Sequence, residues 1–231
     1  MKAPANSPQR PLRVGLFGGT FNPIHKGHLR VAEDVQQRTG LDCIYFIPSA
    51  SPPHKCGSRL APARHRLEMV RLTVDANPCL KVCDIELKRE GSSYSIDTVL
   101  QCKAQQLAGG ELFFLVGMDA FFEIHTWRRF KLLFAQTAFI VMSRPGIGQW
   151  DDAMLGKLKA YVHDCISHDY RWDPASVALI HPQCKAIQPI SVTPVDITST
   201  QVRERIAVGR DYQRWMIPEA AKYIEEKGLY R

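Results

Sequence analysis

Several features are missing from this chain of 231 residues. No apolar run reaches the roughly 18 residues of a helical membrane span, so no span is expected. Seven cysteines are present, an odd number without a CxxC pair. That argues against a disulfide framework and for reduced thiols in a cytoplasmic protein. The opening MKAPANSPQRP has a lysine but no apolar stretch behind it. Residues 1–11 therefore read as a disordered lead and not as a signal peptide. Neither GxGxxG nor GxxxxGK[ST] occurs, which removes the motif support for the common dinucleotide and Walker readings. Internal repeats and low-complexity tracts are absent too. Lys and Arg outnumber Asp and Glu by 30 to 23, but the basic residues are scattered, so the charge of +7 favours anionic ligands without marking a nucleic-acid surface.

What is present is an alternation of short apolar runs with helix-length periodic segments. Strands are expected at 12–17, 43–48, 80–87, 111–117, 137–144 and 190–196. Helices are expected from about Gly27 to Thr39, at 63–75, 95–108, 199–207 and 218–227, with short helical pieces near Trp127. The interval from Gly146 to about Pro182 is the least regular and has room for an insertion. The pattern predicts an α/β, Rossmann-like, doubly wound, mostly parallel sheet with helices on both faces and a small C-terminal helical part. Residues 12–185 are read as the core and 186–231 as the strand and helices that complete its site. Ligands of such sheets bind at the carboxyl ends of the strands, where strand order reverses.

The densest chemistry follows the first strand, in GLFGGTFNPIHKGH (15–28). Gly18 and Gly19 suit either a tight turn or a close backbone approach to a ligand. His25 and His28 flank Gly27 at a helix start, where free N–H groups favour an anion. A solvated turn, a phosphate site and a metal pair all remain open for two imidazoles at this spacing. Ser199, Thr200 and Arg203 open another helix, as a cap with a solvated arginine or as a polyphosphate grip. His163, Cys165, His168, His181 and Cys184 raise a zinc reading, weakened by their loose spacing.

GGTFNPIHKGH resembles the phosphate-binding signature of the HxGH nucleotidyltransferases. Later blocks extend the likeness in order: IPSASPPHK (47–55), SSYSIDT (92–98), FLVGMDAFFEIHTW (114–127), SRPG (143–146), ITSTQVRERI (197–206) and IPEAAKYIEEKGLY (217–230). More narrowly, these blocks are similar to those of bacterial nicotinate-nucleotide adenylyltransferases, over residues 12–146 and 186–231. The resemblance implies transfer of AMP from ATP, with Mg²⁺, to nicotinate mononucleotide by direct in-line attack. It implies that Gly18, Gly19, Thr20, Phe21, His25, His28, Arg144, Ser199, Thr200 and Arg203 bind ATP. Of these, His25, His28 and Arg203 are expected to be catalytic, together with Lys55. His54, Lys55, Tyr94, Ser95, Ile96, Thr98, Gly117, Asp119, Trp127 and Arg128 are implied for the acceptor mononucleotide. Trp127 would stack on its pyridine ring, and N–H groups near Ile96 and Arg128 would receive its carboxylate. Asn22 stands where the family more often has aspartate, so no carboxylate role carries over there. Partners would be these small molecules, with no nucleic acid or membrane, in a monomer or homo-oligomer. The rivals are a nicotinamide-mononucleotide or phosphopantetheine adenylyltransferase and, in another class, a non-catalytic nucleotide-binding protein.

Overall fold

The computed structural model describes residues 10–50, 60–105, 110–143 and 150–231. The expected site residues His54, Lys55 and Arg144 lie outside them, as do residues 1–9 of the lead. Arg10, at the end of the lead, already pairs with Asp42 at 2.7 Å.

The first apolar run becomes β1 (Arg13–Gly19). A turn leads into α1 (Lys26–Thr39), which Gly40 caps and which buries Ala32 and Val35. β2 (Cys43–Pro48) lies parallel to β1, with Leu16 opposite Tyr45. α2 (Ala63–Val74) and β3 (Leu80–Val82) extend the sheet outward, β3 parallel to β2. After α3 (Ser95–Gln105) the chain returns as β4 (Glu111–Gly117), on the other side of β1 and parallel to it. α4 (Met118–Phe121), a 3-10 turn (Ile124–Thr126) and α5 (Phe130–Gln136) are the short pieces expected around Trp127. β5 (Ala138–Met142) joins β4 in parallel.

Three expectations are corrected here. The strand expected at 80–87 stops at Val82, because Asp84 accepts backbone bonds from Leu87 and Lys88 and closes a turn. Cys83 N–H makes a last bond to Phe46 O of β2 at 2.9 Å, and Ile85 beyond it is buried without continuing the strand. The interval 146–182 is more regular than its composition implies. It holds α6 (Asp152–Tyr161), a π turn (Val162–Ile166) and the antiparallel strands β6 (Arg171–Asp173) and β7 (Ala178–Ile180). The last strand, β8 (Ile187–Ile190), lies earlier than 190–196. Its pairing with β5 ends at Met142 opposite Ile190, where the partner strand runs out. Beyond it the chain is held by single bonds, Val192 N–H to Ser143 Oγ at 3.1 Å and Thr193 N–H to Asp34 Oδ2 at 2.6 Å. α7 (Ser199–Ala207) and α8 (Pro218–Lys227) lie where the periodicity puts them.

Among the described residues the sheet has eight strands, in the order β3-β2-β1-β4-β5-β8-β7-β6. Strand order reverses between β1 and β4, so the crevice lies at their carboxyl ends. Adjacent residues of β1 feed opposite layers: Phe17 packs with Val35, Met69 and Val202, and Leu16 with Val99, Phe134 and Phe139. α1, α2, α7 and α8 therefore cover one face, and α3, α5 and α6 the other. The covering is what a two-residue strand period and parallel pairing require. No described helix is long and apolar enough to cross a membrane.

Candidate active site

The turn after β1 is shaped by packing. Phe21 adopts φ 47°, in a region bulky residues rarely occupy. Its ring is held edge-on to Phe17 at 5.8 Å and to His28 at 5.3 Å. His25 precedes α1 in an extended conformation, and its carbonyl accepts the His28 N–H at 2.9 Å. His28 Nδ1 accepts from the His25 N–H at 3.3 Å, which leaves the His28 Nε2–H as that ring's donor. The two imidazole centroids are 3.9 Å apart.

Gly27 allows this close approach. A Cβ there would lie 2.9 Å from His25 Nδ1 and 3.1 Å from Ile197 Cγ2. His25 is only 6% exposed, and its Nδ1 has no hydrogen-bond partner among the described residues. Burial pulls its pKa from 6.5 down to about 4, so the ring is neutral at pH 7.

α7 closes the other side. Thr198 caps it, accepting from Gln201 N–H at 3.1 Å while Gln201 Oε1 accepts from Thr198 N–H at 2.7 Å. Ser199 Oγ donates to Pro23 O at 2.9 Å, and Arg203 Nη1 to Asn22 O at 2.7 Å. Arg203 Nη2 donates to Thr200 Oγ1 at 3.1 Å, and its Nε is buried without a partner among the described residues. Arg203 thus reaches the turn that carries the histidines. A cleft of about 370 Å³ opens between the elements, walled by Phe17, His25, His28, Gly117, Thr198 and Ser199 among others. The N-termini of α1 and α7 both meet it, so two sets of free N–H groups and two positive dipole ends point at one volume. That arrangement suits a polyanion.

Of the expected acceptor residues, Gly117 lines this cleft. Tyr94, Ser95 and Ile96 start α3, and the Arg128 guanidinium lies 4.6 Å from the Tyr94 ring centre. Trp127 packs edge-on to Phe114 of β4 at 6.0 Å. Gly117 ends β4 and Asp119 stands exposed in the next helical turn. Ile96 is 1% exposed, so only its backbone has anything to offer a ligand. Thr98 is 2% exposed, donates to Glu86 Oε1 at 2.6 Å and accepts from Arg89 at 3.2 Å. Its hydroxyl is committed to holding α3.

Sequence reasoning passed over Arg66. It is 1% exposed and donates to Ala61 O at 2.9 Å, Thr20 O at 2.8 Å and Ala50 O at 3.3 Å. A signal existed, because Arg66 lies four residues before Val70 on the apolar face of α2. Of the suggested zinc residues, His163 and His168 pair with ring centroids 4.3 Å apart, but the set does not gather into one group. His181 Nδ1 accepts from the Gln183 and Cys184 N–H groups, and Cys165 is exposed. Among the described residues, no three His, Cys, Asp or Glu side chains form a metal-holding group.

Comparisons with known proteins give the same direction. The cytidylyltransferase-like family profile matches residues 16–205. A Geobacter metallireducens protein named "Probable nicotinate-nucleotide adenylyltransferase" is 36% identical over 220 residues, covering 95% of this chain and 98% of that one. A Citrifermentans bemidjiense protein of the same name is 39% identical over 220 residues, with the same coverage. Among solved structures, Plasmodium falciparum nicotinic acid mononucleotide adenylyltransferase complexed with NaAD shares the fold. The TM-score is 0.69 at 18% identity, covering 95% of this chain and 97% of that one.

Proposed function

The chain belongs to the nicotinate-nucleotide adenylyltransferase family, and from that premise we propose how its strand-end cleft does the chemistry. The enzyme transfers AMP from ATP to nicotinate mononucleotide, giving deamido-NAD and pyrophosphate. A phosphate oxygen of the mononucleotide attacks the α-phosphorus of ATP in line. The new oxygen–phosphorus bond forms as the bond to the β-phosphate bridge oxygen breaks, and pyrophosphate leaves with the electron pair. No side chain forms a covalent intermediate, so catalysis consists of positioning and charge neutralisation.

The observation that carries this reading is the pair of helix N-termini meeting His25 and His28 in one cleft. The His28 Nε2–H serves as a hydrogen-bond donor to the phosphates, and neutral His25 lies against the same volume. The α7 start, with Ser199, Thr200 and Arg203, holds the β and γ phosphates. Gly18, Gly19, Thr20 and Phe21 form the floor, and His54, Lys55 and Arg144 are assigned by family likeness alone. Among the described residues that wall the cleft there is no carboxylate, so a magnesium ion would be carried by the triphosphate. When bound, the ion would supply positive charge against the departing pyrophosphate.

Acid is chosen over amide near the start of α3. The first-turn N–H groups of Ser95 and Ile96 lack intrahelical partners and satisfy a carboxylate. A carboxamide would turn a donor towards one of them. Tyr94, Trp127 and Arg128 flank that end. The enzyme works in the cytoplasm on small molecules.

Pyrophosphate release measured with nicotinate and nicotinamide mononucleotides side by side tests the reading. The expected result is turnover with nicotinate mononucleotide and at least about tenfold lower kcat/KM with the amide. Absence of product with either acceptor would overturn it.

A further inference from the structure

The second-last residue of the chain is tied to the first turn of the site. α8 ends at Lys227, and Gly228 takes φ 60°, the left-handed conformation that closes helices without a Cβ clash. Gly228 N–H bonds Glu225 O at 3.2 Å and Leu229 N–H reaches back to Ile224 O at 3.1 Å, so the tail reverses. Tyr230 then sits at φ 69°, a strained value for a bulky residue. Its hydroxyl donates to Asn22 Oδ1 at 2.8 Å, across 208 residues of sequence. The same oxygen accepts from Ala61 N–H at 3.0 Å. Burial pushes the Tyr230 phenol up, so it stays a donor across the working pH range.

The residues just before His25 are thereby held from three sides. Arg203 and Ser199 of α7 hold the carbonyls of Asn22 and Pro23. Arg66 of α2 holds the carbonyl of Thr20. Tyr230 holds the Asn22 side chain. Among the described residues no carboxylate forms an ion pair with Arg66 or Arg203, and the carboxamide at position 22 accepts the phenol without adding negative charge beside them.

We propose that Tyr230 is a positioning residue for adenylyl transfer: by holding Asn22 it fixes the turn from Thr20 to Ile24, and with it the place of His25 in the cleft. Tyr230 does not touch substrate. The proposal rests on the cleft being the triphosphate site. Tyr230→Phe keeps the ring and removes the contact. In the full-length enzyme its kcat/KM for ATP is expected to fall about tenfold, because small displacements at a reacting centre are costly. The KM for nicotinate mononucleotide should stay within about twofold, and the Tm within about 4 °C, the scale of one lost hydrogen bond. Asn22→Leu removes this contact and the Ala61 N–H bond with it, so it should lose at least as much, and the double variant should be no worse than Asn22→Leu alone.

Unchanged kcat/KM for ATP in Tyr230→Phe would overturn the proposal. So would equal losses toward both substrates with a large fall in Tm, which is the mark of a merely structural role. Fully additive losses in the double variant would do the same. If Asn22→Leu does not fold, the kinetics of Tyr230→Phe decide alone. A His28→Ala enzyme run in parallel separates the two claims. If it is inactive while Tyr230→Phe is unimpaired, only the Tyr230 proposal fails. If it is fully active, the reading of the cleft fails first.

Discussion

His25 and His28 make one close pair of imidazoles, with ring centroids 3.9 Å apart; His163 and His168 make another, at 4.3 Å. The first pair sits at a strand end, packed against a glycine, with His25 buried and two helix N-termini facing the same cleft. The second is exposed, His163 on the π turn and His168 just beyond it before the β6–β7 hairpin, and His163 Nδ1 lies 2.8 Å from an exposed carboxylate of Asp164. Close imidazoles alone do not make a reactive site. Desolvation and oriented N–H groups give the first pair its chemistry, whereas water screens the second and an acid already occupies it.

The comparison breaks most visibly at His28. His28→Ala should lower the rate of pyrophosphate release at least about 10³-fold, as removal of a transition-state donor does, with little change in Tm. His163→Ala should leave steady-state rates within about twofold. Equal losses at the two positions would erase the distinction drawn here.

pH sharpens it next. His25 has a folded pKa of about 4 against 6.5 when exposed, so the unfolded chain takes up the proton first as pH falls. Its contribution to stability is complete above pH 6.5 and is lost as pH falls towards 4, by an amount on the order of 3 kcal/mol. Urea unfolding at pH 7 and at pH 4.5 should show a smaller difference for His25→Gln than for the parent. His163→Gln should keep the parental difference.

Two glycines give the smaller effects. Gly27→Ala drives a Cβ to 2.9 Å from His25 Nδ1. Displacing that ring should lower kcat/KM by about 10- to 100-fold. Gly156 of α6, in the same region as the exposed pair, faces open space. Gly156→Ala should stabilise by about 1 kcal/mol, raising Tm by about 2–4 °C with unchanged kinetics.

Much of this was legible from sequence where local and tertiary demands agree. α7 and α8 begin and end where period and capping place them, because Thr198, Pro218 and Gly228 act locally. The parallel order followed from apolar runs separated by helices. The hairpin of β6 and β7 escaped notice because strands of three residues carry too short a pattern to register. The segment after Ile190 keeps a strand-like alternation, yet pairing depends on β5, which ends at Met142. Within the site, the HKGH and STxxR elements were readable because their chemistry is contiguous. Arg66, Asn22 and Tyr230 were not read as a unit, since only folding brings residues 22, 66 and 230 together.

The central claim is that a triphosphate lies against His25 and His28. The most direct measurement is NMR of the eight histidine rings during titration with a non-hydrolysable ATP analogue and Mg²⁺. The expected result is saturable movement of the His25 and His28 resonances, with His163 and His168 unmoved. Saturable binding that leaves His25 and His28 unchanged would contradict the account.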